Sequence, residues 1–397
     1  MSHKKGNKTE VNDFSSDFAG IIPSELQTII DSLVFYQKKI YIVGGAVRDF
    51  FFGFPVKDYD IATNALPDEV QEILSEVQIK TRPIGRKFGT ILAIVGKKAV
   101  FDVSTFRKET FSVHGKPPEV KFVDTLEEDL ARRDFRFNAI AFNPCLKKFT
   151  DVYNGYEDIQ QKTIQMIGDP HTRLMEDGNR ILRLARFASK FNLAIYPDLE
   201  TVTLEIGRNA PFWNYSTLQK ELFKFLSLPN PNKGLKLLWN ADLFSTIFPS
   251  FSFSKPKVDK IGVTKVVQKF KDIPSSNIWV RLFGLLLFFS EEVVNTKEIW
   301  DLVGKDLCLS AKDKKKIIHL AQSWLNFPQV FELTRLKKWI RATGINISED
   351  FLKLIFLNAE LKDNRELLKQ KEVFLIESQS IIKRLRYGSK MNGSLLS

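Results

Sequence analysis

Apolar residues in the first third of the chain come in short runs and alternations broken by turn residues. From about residue 156 onward they recur at helical spacing. Residues 26–36 carry an amphipathic helix pattern, with Ile29, Ile30, Leu33 and Val34 on its apolar side. The pattern then predicts strands over 40–44, 57–62, 78–83, 89–96 and 99–105, and a helix over 68–76. Tyr41-Ile42-Val43 reads as a short buried strand entering Gly44-Gly45. Residues 46–52 read as one or two helical turns stopped by Gly53 and Pro55. Amphipathic helices are expected over 278–289, 312–324, 335–343 and 351–359. The order implies an α+β chain, a small mixed-sheet head followed by an all-α remainder.

Composition narrows the class. The chain has 397 residues, of which 44% are hydrophobic and 34 are Phe, enough for more than one sizeable core. Its net charge of +12 is uneven: residues 251–397 hold 26 Lys and Arg against 16 Asp and Glu, while the preceding 250 hold 33 against 31. A near-neutral front and a basic back suggest chemistry in front and polyanion binding behind. No apolar run approaches the 18 or so residues a membrane span needs, and residues 1–10 carry no apolar core of a secretory signal. Cys145 and Cys308 lack metal-ligand spacing and read as buried or partly buried thiols. A reduced, cytoplasmic setting is therefore expected, with no membrane and no DNA partner. Only four His are present, which leaves little room for a histidine-rich metal site.

The sharpest chemical signal is Asp58-Tyr59-Asp60. In an extended chain, residues i and i+2 share a face, so Asp58 and Asp60 project together while Tyr59 and Ile61 point to a core. Two carboxylates that close repel each other unless a cation lies between them. Oxygen-only ligation suits Mg²⁺, which binds through one or two carboxylates and substrate phosphates. Upstream, Gly44-Gly45 offers backbone N–H groups near a helix start, a phosphate cradle clear of side chains. Alone, Asp-x-Asp more often marks a solvated strand or turn; the Gly-Gly-x-x-Arg-Asp element before it reverses that balance and points to metal-assisted attack on a nucleoside triphosphate.

Gly44-Gly45-Ala46-Val47-Arg48-Asp49 followed by Lys57-Asp58-Tyr59-Asp60-Ile61-Ala62-Thr63-Asn64-Ala65 resembles the class II tRNA nucleotidyltransferase (CCA-adding enzyme) and bacterial poly(A) polymerase family. The resemblance covers roughly residues 38–250. It implies that Gly44, Gly45 and Arg48 hold the triphosphate and that Asp58 and Asp60 bind Mg²⁺. It also implies that Asp102, before Val103-Ser104-Thr105-Phe106-Arg107, completes the acidic trio around two ions about 3.5–4 Å apart. A carboxylate paired with Arg107 or Arg48 is the competing account of Asp102. Residues 108–119 form a polar loop with Gly and Pro, and the resemblance makes them a candidate lid.

Arg132-Arg133-Asp134 with Asn138 resembles the family's Arg-Arg-Asp-x-x-x-Asn element. Two guanidinium groups can clamp phosphates, and Asp134 with Asn138 can bond ribose hydroxyls. Asp151, Gly155 and Asp158 fit the family's hinge between head and neck. Asp177 and Arg180, three apart on an expected helix, share a face. A carboxylate only accepts and a guanidinium only donates. Together they complement an edge with an amino group beside a ring nitrogen, shared by cytosine and adenine but not by uracil or guanine. Arg183, three residues further on, is expected to bind the nucleotide with Asp177 and Arg180. Gly178-Asn179 stand where the family usually has Pro or Ala and an apolar residue, and a helical Gly costs about 1 kcal/mol, so the helix is expected to start later or to be looser. Ser216-Thr217 replace the family's Glu-Arg while Glu221 keeps its place.

The organisation expected is a disordered lead-in over 1–21, a nucleotidyltransferase head over 22–155, a helical neck reading the base over 156–230, and a helical body and tail binding RNA over 231–397. The activity implied is addition of C, C and A to tRNA 3′ ends from CTP and ATP without a template. The alternatives are a poly(A) polymerase, an enzyme adding only CC or only A, and a non-catalytic RNA-binding protein on the same fold. Basic clusters at Lys312, Lys314, Lys315 and Lys316, at Arg335, Lys337, Lys338 and Arg341, and at Lys383, Arg384 and Arg386 suit an RNA backbone, with Trp339 interleaved.

Overall fold

The structure, a computed structural model, describes residues 11–96, 99–111, 116–212, 214–251, 262–289 and 297–393. The chain divides into two compact units, residues 1–177 with 193–202, and residues 178–192 with 203–397.

The first unit is built on a seven-stranded mixed sheet. Its strands are β1 (Ile40–Val43), β2 (Asp60–Thr63), β3 (Lys80–Gly85), β4 (Thr90–Val95), β5 (Ala99–Thr105), β8 (Ala141–Asn143) and β9 (Lys148–Thr150), in the spatial order β3-β4-β5-β2-β1-β8-β9. β2 and β5 run parallel; the other pairings are antiparallel. Alternation sends Val43, Ala62, Ala141 and Phe106 into a core shared with Leu126, Leu130 and Ile167. Helices α1 (Ser15–Gly20), α2 (Ser24–Phe35), α3 (Gly45–Phe51), α4 (Pro67–Glu76) and α5 (Leu126–Ala131) accompany the sheet. α4 begins with Pro67, and Glu69 accepts from the Leu66 N–H at 2.8 Å, satisfying one of the orphan donors at a helix start.

Three expectations change here. Residues 1–10 of the expected lead-in lie outside the described residues. From Val11 the chain is helical, and α1 buries Phe18 against Phe50, Phe142 and Phe149. One aromatic anchor in a polar stretch is invisible to a hydropathy window yet decides docking. Residues 112–115 of the expected loop are outside the described residues. Its flanks are a ladder between β6 (Arg107–Thr110) and β7 (Glu119–Phe122), in which backbone pairing overrides polar composition. Cys145 and Cys308 are exposed, not buried.

After β9 come α6 (Gly155–Gln161), β10 (Thr163–Ile164), α7 (Pro170–Glu176) and, beyond the second unit's first helix, β11 (Ala194–Ile195), which pairs in parallel with β10. The stretch after 156 is thus interrupted by a two-residue ladder.

The second unit is helical. α8 (Asn179–Lys190) packs with α10 (Tyr215–Leu226) and α11 (Asn232–Asn240), burying Ile181, Leu182, Leu184 and Ala185. α9 (Pro197–Ile206) belongs to the first unit up to Val202 and to the second from Thr203. The second unit continues through α12 (Leu243–Ile247), α13 (Val263–Lys271), α14 (Ile278–Phe289), α15 (Lys297–Asp306), α16 (Ala311–Leu325), α17 (Leu333–Thr343) and α18 (Ile345–Leu361), and ends in α19 (Arg365–Lys369) and α20 (Lys371–Gly393). Arg281 is 1% exposed. It donates to the carbonyls of Ile273 and Leu226 at 2.9 and 2.8 Å, so the buried guanidinium is compensated by carbonyls at or just beyond helix C-termini, which lack intrahelical donors.

Candidate active site

β1 ends at Val43 and the chain turns at Gly44, whose φ of +69 and ψ of −121 lie where only glycine is comfortable. A Cβ there would also stand 3.2 Å from Arg133 Nη1 and 3.4 Å from Asp60 Oδ2. The cradle, the acid and the arginine are therefore one cluster. Arg48, one turn into α3, donates from Nη1 to Asn138 Oδ1 at 3.0 Å and pairs with Asp49 at 2.8 Å. Asn138 in turn donates to Asp134 Oδ1 at 2.8 Å. This chain fixes the Asn138 amide and links Arg48, Asn138 and Asp134, which the sequence separates by up to ninety positions.

The acids come together across the sheet. Asp60 opens β2, and its partner in the parallel β2–β5 register is Asp102. Asp58 sits just before the strand, exposed, while Tyr59 and Ile61 are buried as alternation requires. Burial pushes the Asp60 carboxyl above its ordinary range; Arg133 opposes this, and Asp102 and Asp58 add to it. Burial likewise raises Asp102, with Asp58 contributing. The arginines proposed as competing partners of Asp102 are engaged elsewhere, Arg107 with Glu109 at 2.9 Å and Arg48 with Asp49 and Asn138.

The Arg132-Arg133 pair is not symmetric. Arg132 meets Glu109 at 3.1 Å and Asp129 at 2.8 Å, whereas Arg133 shares Asp129 at 3.1 Å and carries Nη1 beside Gly44. Asp129 is 1% exposed; burial alone would raise its carboxyl, but Arg132 and Arg133 hold it below the ordinary range. Asp129, Glu109 and Arg173 were not singled out from the sequence. Asp129 precedes the two arginines by three and four residues, a helical spacing that could have flagged it. Glu109 reaches Arg132 only through the fold.

Asp177 and Arg180 do not share a helix face, contrary to the spacing argument. α7 ends at Glu176, Asp177 is extended (φ −153, ψ 105), and α8 begins at Asn179. The late start expected from Gly178 is observed. Its cause is a close approach: Gly178 N–H donates to Pro211 O at 2.8 Å, and a Cβ on Gly178 would stand 2.9 Å from that oxygen. Asp177 and Arg180 are both buried, and Arg183 is half-buried on α8. Glu221 of α10 accepts from Arg186 of α8 at 2.8 Å, and Asn214 caps α10 through the Thr217 N–H at 3.0 Å.

Trp339 does not interleave with an RNA surface. It is 3% exposed and donates Nε1–H to Ser323 O at 2.7 Å, because its helix packs that face inward. Lys312, Lys315, Lys316, Arg335, Lys338, Arg341, Lys383, Arg384 and Arg386 remain exposed.

A glycine turn against a strand carboxylate and an arginine, with a hydrogen-bonded Asp-Asn pair linked to it through Arg48, is the polar centre of the head. Residues 40–165 match the model of the Poly A polymerase head domain. The CCA-adding enzyme of Anoxybacillus flavithermus is 32% identical over 286 residues, covering 72% of this chain and 69% of that protein. That of Staphylococcus saprophyticus is 32% identical over 338 residues, covering 85% and 77%. The fold is shared with the crystal structure of the Bacillus stearothermophilus CCA-adding enzyme in complex with CTP, at a TM-score of 0.68 and 23% identity over 92% of this chain and 84% of that one. The chain belongs to the CCA-adding enzyme family of tRNA nucleotidyltransferases.

Proposed function

We infer that this protein adds C, C and A to the 3′ ends of tRNA from CTP and ATP, without a nucleic-acid template. The observation carrying this reading is the pairing of Asp60 with Asp102 beside the Gly44 turn and Arg133. It joins a place for phosphates to acids that need a cation. Among the described residues no three His, Cys, Asp or Glu side chains form a closed ligand set. Mg²⁺ does not require one, since it completes its shell with water and substrate phosphates. Burial of Asp60, with repulsion from Asp102 and Asp58 added, fits a site finished by such an ion. Asp58 and Asp60, with Asp102, would hold Mg²⁺, which would favour ionisation of the attacking 3′-hydroxyl, polarise the α-phosphate and stabilise the pyrophosphate released as the α–β phosphoanhydride bond breaks. Gly44, Gly45 and Arg48 cradle the triphosphate, and Arg133 offers positive charge beside it. Asp134 and Asn138 orient the ribose. Asp177, buried at the break after α7, and Arg180, buried in the first turn of α8, would read the amino-bearing base edge without sharing a helix face, with Arg183 three residues further on. Exposed lysines and arginines of the second unit provide the RNA-binding face.

No single described helix is long and apolar enough to cross a membrane, and we place the protein in the cytoplasm with its tRNA substrate. The experiment uses tRNA transcripts ending before the first C, before the second C or before the terminal A, each with one triphosphate at a time. The reading expects C, C and A respectively and then arrest. Long A tails on any RNA show a poly(A) polymerase, response of only one set of transcripts shows a partial enzyme, and no incorporation shows a binding protein.

A further inference from the structure

Arg173, on α7, lies against the main chain that carries the arginine pair. Its Nη2 donates to Arg132 O at 2.5 Å and to Arg133 O at 2.7 Å, while Nη1 meets Glu176 at 2.6 Å. One guanidinium fork thus joins two consecutive carbonyls to the residue immediately before Asp177, a geometry a point charge cannot reproduce. A second, independent link runs alongside. Ile167 N–H donates to Asp134 O at 3.0 Å, Arg136 N–H donates to Gln165 O at 3.1 Å, and Phe135 bridges Met166. The segment leading into α7 is therefore laced to the Arg132–Asn138 stretch by main chain, and α7's last turn is tied to it by Arg173.

We propose that Arg173 is a positioning residue that couples triphosphate contact at Arg133 to base reading at Asp177. The inference rests on the functional reading above, in which those two residues handle opposite ends of the nucleotide. Arg173 holds the carbonyls on either side of the Arg133 peptide and, through Glu176, the end of α7 from which Asp177 departs. Geometry errors at either end then propagate to the other, because positioning losses of about 1 Å are felt as large rate losses. A helix C-terminal cap would involve the same carbonyls, so the test must read nucleotide handling rather than stability alone.

Full-length Arg173→Ala and Arg173→Lys are assayed on transcripts ending before the first C and before the terminal A. The readouts are KM and kcat for CTP and ATP, the KM for tRNA, the ratio of CTP to UTP incorporation, and the melting temperature. Arg173→Ala is expected to raise both triphosphate KM values about tenfold and to lower the CTP:UTP ratio about tenfold, with the tRNA KM unchanged. Arg173→Lys recovers only part of each effect, since it keeps the charge without the fork. The proposal is overturned if a folded variant melts lower yet keeps wild-type triphosphate KM values and CTP:UTP ratio, which leaves Arg173 a cap. Should the alanine variant not fold, the lysine variant decides on the same readouts. If the parent protein adds no nucleotide, the functional reading fails instead, and calorimetric CTP affinity of parent against variant decides the coupling.

Discussion

Asp60 and Asp102 stand opposite each other in register across the parallel pairing of β2 and β5. Forty-two positions apart in sequence, they share one electrostatic environment: burial raises both carboxyls, Asp102 raises Asp60 further and Asp58 adds to each, so the group favours a counter-charge. Asp60→Asn or Asp102→Asn is expected to reduce nucleotide addition on the order of a thousandfold without lowering the melting temperature, since a repelling charge is removed. Single-turnover CMP incorporation and a thermal melt of each variant check this. A variant that loses activity only by unfolding removes the catalytic assignment.

The two adjacent arginines should separate by assay. Arg133→Ala is expected to raise the triphosphate KM about tenfold, because its guanidinium flanks Gly44 and Asp60. Arg132→Ala is expected to lower stability by about 2 kcal/mol, because buried Asp129 loses a partner, with a smaller KM change. Steady-state kinetics beside urea melts decide it, and equal KM effects would contradict the asymmetry.

Helix propensity and packing give opposite signs at Gly178. Propensity alone makes Gly178→Ala stabilising by about 1 kcal/mol. The Pro211 carbonyl, 2.9 Å from where the new Cβ would sit, makes it destabilising by about 1–3 kcal/mol. The midpoint of denaturant unfolding gives the sign directly.

Asp158, at the start of α6, is buried and accepts from Gln165 Nε2 at 3.0 Å. Burial pushes its carboxyl up to about 6, despite Arg136 and the Gln165 bonds. The fold favours the neutral form. Its stabilising contribution is therefore complete below the unfolded value of about 4 and is lost as pH rises through about 6. Asp158→Asn should melt higher than the parent at pH 8, by about 1–2 kcal/mol allowing for solvent screening, and show no advantage at pH 4. A melting difference independent of pH would contradict the assignment.

Sequence periodicity alone located β1, β4, β5, α2, α4 and α14 to within a residue or two. It also placed Tyr59 and Ile61 inside, because side-chain direction in strands and helices follows from local geometry. The Gly44-Gly45 turn and the acids at 58 and 60 were legible too, since a positive φ and like charges two apart each require a specific chemistry. What local spacing could not carry was partnership. That Asp102 faces Asp60, that Arg132 answers to Glu109, and that Trp339 turns inward are consequences of register and packing between distant segments. The break between Asp177 and Arg180 shows the same limit. The helical spacing was sound as a pattern, but a carbonyl from Pro211 occupies the space that a residue larger than Gly178 would need, and only the folded chain brings that carbonyl there.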